Sequence, residues 1–106
     1  MDNAAIEEMF EPLGRVSIRK MFGGKGIYHN GLIVALEVYG DILLKADAVS
    51  APQFMAAGSR QWVYESKTGK PASMPYWSIP DEALDDPETM EKWLRLAYDA
   101  SVRAKK

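Results

Sequence analysis

The chain contains no cysteine among its 106 residues. This absence excludes disulfide bonds, thiolate nucleophiles and zinc sites built on thiolates. The chain also has a single histidine, so a transition-metal site would depend on oxygen ligands, which are uncommon around zinc. We therefore expect neither a metal nor a cofactor.

Long apolar runs and an excess of basic charge are missing as well. No stretch reaches the roughly 18 apolar residues that a membrane-spanning helix needs, and the acidic start MDNAAIEEMF does not resemble a signal peptide. The net charge is −2, from 13 basic and 15 acidic residues, whereas nucleic-acid binders usually carry a basic excess. We expect no membrane partner, and nucleic-acid binding is disfavoured.

The residues that are present favour one globular domain spanning 1–106. Apolar residues make up 47% of the chain and charged residues 26%, as in ordinary soluble domains. The apolar periodicities predict the element order α-β-β-β-β-α-β-β-α. Hairpin-linked strands with separate helices indicate an α+β fold: a small two-layer domain with an antiparallel sheet of about six strands and helices packed on it.

Four local patterns define the predicted strands. Residues 16–22 (VSIRKMF) alternate in polarity and form the first strand. Asn30-Gly31 is a strong signal for a two-residue hairpin turn, and the apolar segment 32–38 that follows it should be central in the sheet. Pro75 interrupts the last strand, which implies an edge position or a bulge.

Capping patterns define the predicted helices. Asn3 is expected to cap the first helix, and Ser50 with Gln53 fits a capping box for a short second helix. Asp86 caps the long last helix, with proline at its first position. The inward stripe of that helix is predicted to consist of Met90, Trp93, Leu94, Ala97 and Ser101.

The segment KMFGGKGIYHNG (20–31) combines glycines, lysines and the histidine. Its spacing does not fit a phosphate-binding loop, because no helix follows Gly24-Lys25-Gly26. We interpret the glycines as bends between strands. His29 precedes the hairpin turn and is expected to be solvated there. The acidic segment 81–88 is attributed to helix capping in preference to a hard-cation site.

Two groups of side chains are candidate binding surfaces. Arg15, Arg19, Lys20 and Lys25 form a local basic cluster that could contact an acidic partner or nucleic acid.

The second candidate is a small-ligand pocket near Lys45, Tyr64 and Trp77. For Lys45, the simpler interpretation is an exposed ion pair with Asp47 at a strand end. The aromatic pairs of residues 62/64 and 76/77 are expected to serve as core or interface in preference to base stacking. No catalytic constellation emerges from any of these residues, so we predict that the protein is not an enzyme.

Several motifs resemble a known family. They are Met21-Phe22-Gly23-Gly24, Gly26-Ile27-Tyr28, Leu44-Lys45, Ala57-Gly58, Met74 with Tyr76-Trp77, and the approach from Pro80 to Pro87. In order and spacing they resemble the N-terminal domain of the TfoX/Sxy family over about residues 10–100. The resemblance implies an α+β fold similar to secretion chaperones, a bacterial cytoplasmic location and no catalytic residue set.

Founding members of that family regulate natural competence by acting on transcription of DNA-uptake genes, and they carry a second, helical C-terminal domain. This sequence is expected to lack that second domain. We therefore expect a regulatory or protein-interaction domain that affects transcription through an unknown protein partner. Direct nucleic-acid binding and small-ligand binding remain the alternatives. Self-association as a homodimer is a further expectation, through an uncovered sheet edge or face.

Overall fold

The computed structural model describes residues 1–21, 23–65 and 67–105. It confirms the α+β class and the predicted order of helices and strands, with one 3₁₀ turn added before the last helix. The elements are α1 (Asn3–Met9), β1 (Ser17–Met21), β2 (Gly24–His29), β3 (Leu32–Val38), β4 (Asp41–Lys45), α2 (Ala51–Ala56), β5 (Gln61–Glu65), β6 (Pro71–Ser78), the 3₁₀ turn (Asp81–Ala83) and α3 (Pro87–Ala104).

The six strands form one antiparallel sheet in the order β1-β2-β3-β4-β6-β5. β3 lies between β2 and β4, which confirms the inner position predicted from its apolar sequence. β1 begins one residue later than predicted, since Val16 precedes it, and Phe22, the predicted last residue, lies outside the described residues.

Pro75 does not lie on an edge, because β6 has β4 on one side and β5 on the other. The alternative prediction, a bulge, is confirmed: the pairing with β5 shifts register between Gln61 and Val63. On the other side, the carbonyl oxygen of Pro75 accepts a hydrogen bond from the Ala46 amide at 2.9 Å. A bulge tolerates the missing amide hydrogen of proline because the ladder is already interrupted there.

Two tight turns connect β2 to β3 and β3 to β4. Asn30 and Gly31 have φ angles of 51° and 80°, and Tyr39 and Gly40 have φ angles of 50° and 88°. Positive φ at both central residues is the hairpin geometry that the Asn30-Gly31 pair predicted. In the second turn, the Glu37 carboxylate accepts a hydrogen bond from the Gly40 amide at 2.9 Å.

All three helices pack on one face of the sheet, which we call the helix-covered face. A row of residues that are paired across four strands forms its floor: Ile27, Ala35, Leu44 and Trp77. Ile6 of α1, Phe54 of α2 and Trp93 of α3 close the core above this row. The predicted inward stripe of α3 is buried as expected.

The helix caps agree with the sequence only in part. Asp86 caps α3, where its carboxylate accepts a hydrogen bond from the Glu88 amide, as predicted. The cap of α1 is Asp2 and not Asn3, since the Asp2 carboxylate accepts from the Ala5 amide at 2.8 Å. The capping box at Ser50 is wrong, because the Ser50 side chain makes no capping bond to α2.

The start of α2 is organised by Asp47 instead. Its Oδ1 accepts hydrogen bonds from the amides of Val49 and Ser50, both at 3.1 Å, and its own amide donates to Ser50 Oγ. Asp47 therefore orders the turn that leads into α2, whereas Ser50 occupies the predicted N-cap position without the predicted side-chain bond. Among the described residues, no helix has both the length and the apolar content needed to cross a membrane.

Candidate functional site

The opposite side of the sheet carries no helix in the part of the chain that the structure describes, and we call it the open face. Successive residues of a strand point to opposite faces, so the neighbours of the buried row occupy this side. Val34 is an exception and stays in the core, because the pairing of β2 with β3 shifts register beside it. Arg19 lies opposite Gly26, Gly26 opposite Leu36, and Leu36 opposite Leu43. Lys45 lies opposite Tyr76 in the same way. The open face is defined by Arg19, Tyr28, Leu36, Leu43, Lys45 and Tyr76.

The centre of the open face is shielded from water although no described helix covers it. Leu43 is 8% exposed and Tyr76 is 7% exposed, yet neither belongs to the core under the helices. Around them, Tyr28, Leu36 and Lys45 are half-buried. The side chains of the open face thus pack on one another and leave a continuous, partly apolar surface.

Gly26 is the position that allows this packing. A Cβ atom added there would lie 2.7 Å from Met21 Sδ and 3.0 Å from Tyr28 Cε1. Because Gly26 has no side chain, the side chains of Met21 and Tyr28 extend over the strand at this position. The Arg19 guanidinium lies 5.1 Å from the Tyr28 ring centroid. This is a cation–π contact. The segment continues as a strand and not as a helix, as predicted. The interpretation of the glycines as bends holds for Gly23 and Gly31, which have positive φ angles, whereas Gly24 and Gly26 lie within β2.

The open face combines positive charges with two tyrosine hydroxyls, and the pKa of one of them, Tyr76, is raised. Burial raises the pKa of the Tyr76 hydroxyl above its ordinary value, and the nearby Tyr28 phenol raises that pKa further. Arg19 and Lys45 supply the positive charges. Such a face offers hydroxyl groups, two cations and apolar area, which suit a partner that is partly apolar and partly acidic.

The sheet divides the predicted basic cluster. Arg19 lies on the open face, whereas Lys20 and Lys25 lie opposite each other on the other side of the same two strands. The ammonium group of Lys25 donates hydrogen bonds to the Met1 carbonyl and the Asn3 side chain, both at 2.8 Å. Arg15 is exposed in the loop before β1. Four cations that are adjacent in sequence thus do not form one surface.

The three residues of the predicted pocket are not brought together either. Lys45 lies on the open face, whereas Trp77 is 6% exposed in the core, with its ring centroid 6.3 Å from that of Phe54. Tyr64 lies on β5 and contacts Trp62 edge to face at 5.9 Å. The structure shows that a ligand touching all three residues would have to reach both faces of the sheet.

Two further sequence interpretations are wrong. His29 is not simply solvated at a hairpin tip: it is half-buried, its Nδ1 donates to the Arg15 carbonyl at 2.8 Å, and its ring meets the Tyr98 ring edge-on at 5.0 Å. Asp47 pairs with Arg103 and not with Lys45, through two N–O contacts of 2.6 and 2.9 Å. The Arg103 guanidinium holds the pKa of the Asp47 carboxyl well below its usual range.

A groove of about 780 Å³ lies between α1 and the start of α3. Leu84, which is 56% exposed, lies among the carboxylates that line it. Asp86 has the capping role that was predicted, and its bonds to Thr89 and Glu88 lower its pKa. Within the described ranges, no group of three or more histidine or acidic side chains is placed to hold a metal ion. The carboxylates that line the groove are Glu8, Glu11, Asp85, Asp86, Glu88 and Glu91.

Sequence reasoning missed most of the open face. The sequence places Tyr28, Leu36 and Leu43 only within strands, and it assigns Tyr76 to core or interface without its neighbours, because one strand at a time does not reveal which side the helices cover. A signal was available in the alternation: Tyr28 follows the buried Ile27, and Tyr76 precedes the buried Trp77. If the register of the neighbouring strands had been predicted, these residues would have been recognised as parts of one surface.

Comparison with known proteins supports the resemblance seen in the sequence. The family model of the TfoX N-terminal domain matches residues 8–101, which is nearly the whole chain. A search of curated proteins finds no match. The chain belongs to the TfoX N-terminal domain family.

Proposed function

We propose that this member of the TfoX N-terminal domain family is a non-enzymatic protein-interaction module that acts in regulation. Its partner protein binds the open face, and transcription is affected through that partner and not by direct chemistry. The observation that carries the proposal is a sheet face with apolar area, phenols and cations that no described helix covers. The resemblance to competence regulators supports the regulatory role and a bacterial cytoplasmic location.

The chemistry of the open face indicates the kind of partner segment that it binds. Leu36 and Tyr28 offer apolar contact area that is already half-buried, so little side-chain freedom is lost on binding. Arg19 and Lys45 flank this area and complement carboxylates on the partner. A segment with alternating apolar and acidic side chains matches both features.

A site-specific photo-crosslinker tests the proposal in the living cell. The crosslinking amino acid replaces Lys45 on the open face in one variant. In the matched control it replaces Arg95, which is exposed on the outer side of α3. We expect a discrete adduct with another protein from position 45 and not from position 95. Identical adducts from both positions, or adducts with copies of this chain alone, would contradict the proposal.

Direct nucleic-acid binding is the second candidate, because the open face places cations beside aromatic rings. Arg19 covers the Tyr28 ring, and Lys45 lies opposite Tyr76; single-stranded nucleic acids are bound by this combination of stacking and charge. A salt titration with single-stranded and duplex DNA distinguishes the candidates. Binding that weakens steeply with salt supports the second, and negligible binding at low salt removes it.

A further inference from the structure

The two outer strands of the sheet differ in how they are protected. In the part of the chain that the structure describes, β1 and β5 each have a neighbouring strand on one side only. β1 carries Arg19 and Lys20 at its centre and end. Charges on an edge strand oppose pairing with a second chain. Two β1 strands aligned about Arg19 would place like charges directly opposite each other, which is destabilising.

β5 has no such protection. Its sequence is Gln61-Trp62-Val63-Tyr64-Glu65, without lysine, arginine, proline or glycine. Val63 is 48% exposed and Tyr64 is 50% exposed. An edge strand that is β-branched and aromatic and that carries exposed apolar side chains is a template for another strand. β5 is therefore the edge at which the sheet can be extended.

The sequence of β5 is complementary to itself. An antiparallel pair of β5 strands centred on Val63 places Val63 against Val63, Trp62 against Tyr64, and Gln61 against Glu65. Trp62 and Tyr64 already touch edge to face within one copy, at 5.9 Å. The pairing would unite the four rings of the two copies, and aromatic cross-strand pairs stabilise sheets.

The charge of β5 is compatible with the same occupant. Glu65 ends β5 and is the charged residue of the strand. In the antiparallel alignment, Glu65 of one copy lies opposite Gln61 of the other, so no like charges meet, and two-fold symmetry repeats this contact. Such an interface is isologous and closes as a dimer, in contrast to head-to-tail contacts that continue into filaments.

We propose that β5 pairs antiparallel with β5 of a second copy, centred on Val63, to form a dimer with one continuous twelve-stranded sheet. In antiparallel edge pairing, the open face of one copy lies on the same side of the joined sheet as the open face of the other copy. The two open faces then adjoin, and the dimer presents one surface of double length. This inference concerns self-association and does not depend on the partner proposed above.

The absence of cysteine makes this pairing directly testable. Residues directly opposite in an antiparallel pair have Cα atoms about 4.5–5.5 Å apart, within the range of about 4.4–6.8 Å that a disulfide spans. Val63→Cys should give a disulfide-linked dimer under mild oxidation. Ser17→Cys, at the exposed start of the other edge strand, is the matched control and should form dimers at least tenfold more slowly.

A mixed pair of variants tests the register. Gln61→Cys and Glu65→Cys lie opposite each other only if the alignment is centred on Val63. When the two are mixed and oxidised, the heterodisulfide should form in preference to either homodisulfide. Equal formation of all three species would overturn the proposed register.

Sedimentation equilibrium of the unmodified protein completes the test. We expect a concentration-dependent dimer, and Val63→Lys should weaken it at least tenfold because two cations then meet at the symmetry axis. Circular dichroism of this variant checks that the fold is retained. A wild-type monomer at all concentrations, or a dimer that Val63→Lys leaves unchanged, would overturn the proposal. A monomer that still gives the position-45 adduct would leave the interaction function standing.

Discussion

The two faces of the sheet differ in what covers their side chains. On the helix-covered face, Ile27, Ala35 and Leu44 are fully buried under the side chains of all three helices. On the open face, Leu36 and Lys45 are half-buried although no described helix covers them. One set of strands supplies both faces by alternation, so stability and recognition can be changed separately. Substitutions on the first face should affect folding, and substitutions on the second should affect binding.

The largest expected effect comes from breaking the helix-covered face at Trp93. This side chain is 2% exposed and its ring centroid lies 4.8 Å from that of Phe54. Trp93→Ala should lower the free energy of unfolding by about 3–5 kcal/mol, because it leaves a cavity in the core. Urea denaturation followed by circular dichroism measures the loss.

The matched change on the open face is Leu36→Ala. Since Leu36 is half-buried and its surroundings can relax into solvent, the loss should be about 1 kcal/mol. If the two variants lost the same free energy of unfolding, both faces would contribute equally to the core, and the distinction between them would be wrong.

A second prediction concerns two glycines of β2 that differ in what surrounds them. A Cβ atom at Gly24 would lie 2.0 Å from the carbonyl oxygen of Glu37, whereas the Cβ at Gly26 meets the ends of side chains. Gly24→Ala requires the backbone of β3 to move and should cost about 3 kcal/mol. Gly26→Ala displaces only Met21 and Tyr28 and should cost about 1 kcal/mol.

Chemical shifts distinguish the two variants beyond their stability. Gly26→Ala should move the Tyr28 and Arg19 resonances while those of the helix-covered core stay in place. Spectral changes that spread through α3 in this variant would contradict the assignment of Gly26 to the open face.

The strands and their order along the chain could be predicted from the sequence because their signals are local. Alternation, the Asn30-Gly31 turn and the Asp86 cap each depend on a few adjacent residues. Interactions between distant parts of the chain could not be predicted this way. Asp47 was assigned to Lys45, two residues away, whereas its partner Arg103 is 56 residues distant. The basic cluster failed for the same reason: adjacency in sequence does not decide on which face a side chain lies.

The Asp47–Arg103 pair gives a third prediction, at the acid end of the pH range. The pair joins the start of α2 to the last turn of α3. Asp47→Asn removes the charge, and at neutral pH it should lower Tm by about 4 °C, a modest value because both side chains are partly exposed. Thermal unfolding at a series of pH values measures this difference.

The sign of its pH dependence follows from the pKa of Asp47, which is lower in the folded protein than in the unfolded chain. The stabilisation is therefore complete above about pH 4 and is lost as the pH falls below that value. The gap in Tm between the wild type and Asp47→Asn should close in acid. Asp41→Asn, at an exposed position, serves as the control and should show no such gap.

The smallest effect is expected at the alkaline end and concerns the open face alone. Because burial and the Tyr28 phenol raise the pKa of Tyr76, the folded protein holds that proton more tightly than the unfolded chain does. The contribution to stability is complete below about pH 10 and is lost as the pH rises through that value. Tyr28→Phe removes the second phenol and should lower the pKa of Tyr76 with little change in the free energy of unfolding at neutral pH. An NMR titration of the Tyr76 ring measures this shift, and Tyr39→Phe, at a tyrosine that is 88% exposed, is the matched control. If Tyr28→Phe left the Tyr76 titration as unchanged as the control does, the two phenols would not share one surface. Tyr28 and Tyr76 could then not both belong to the open face.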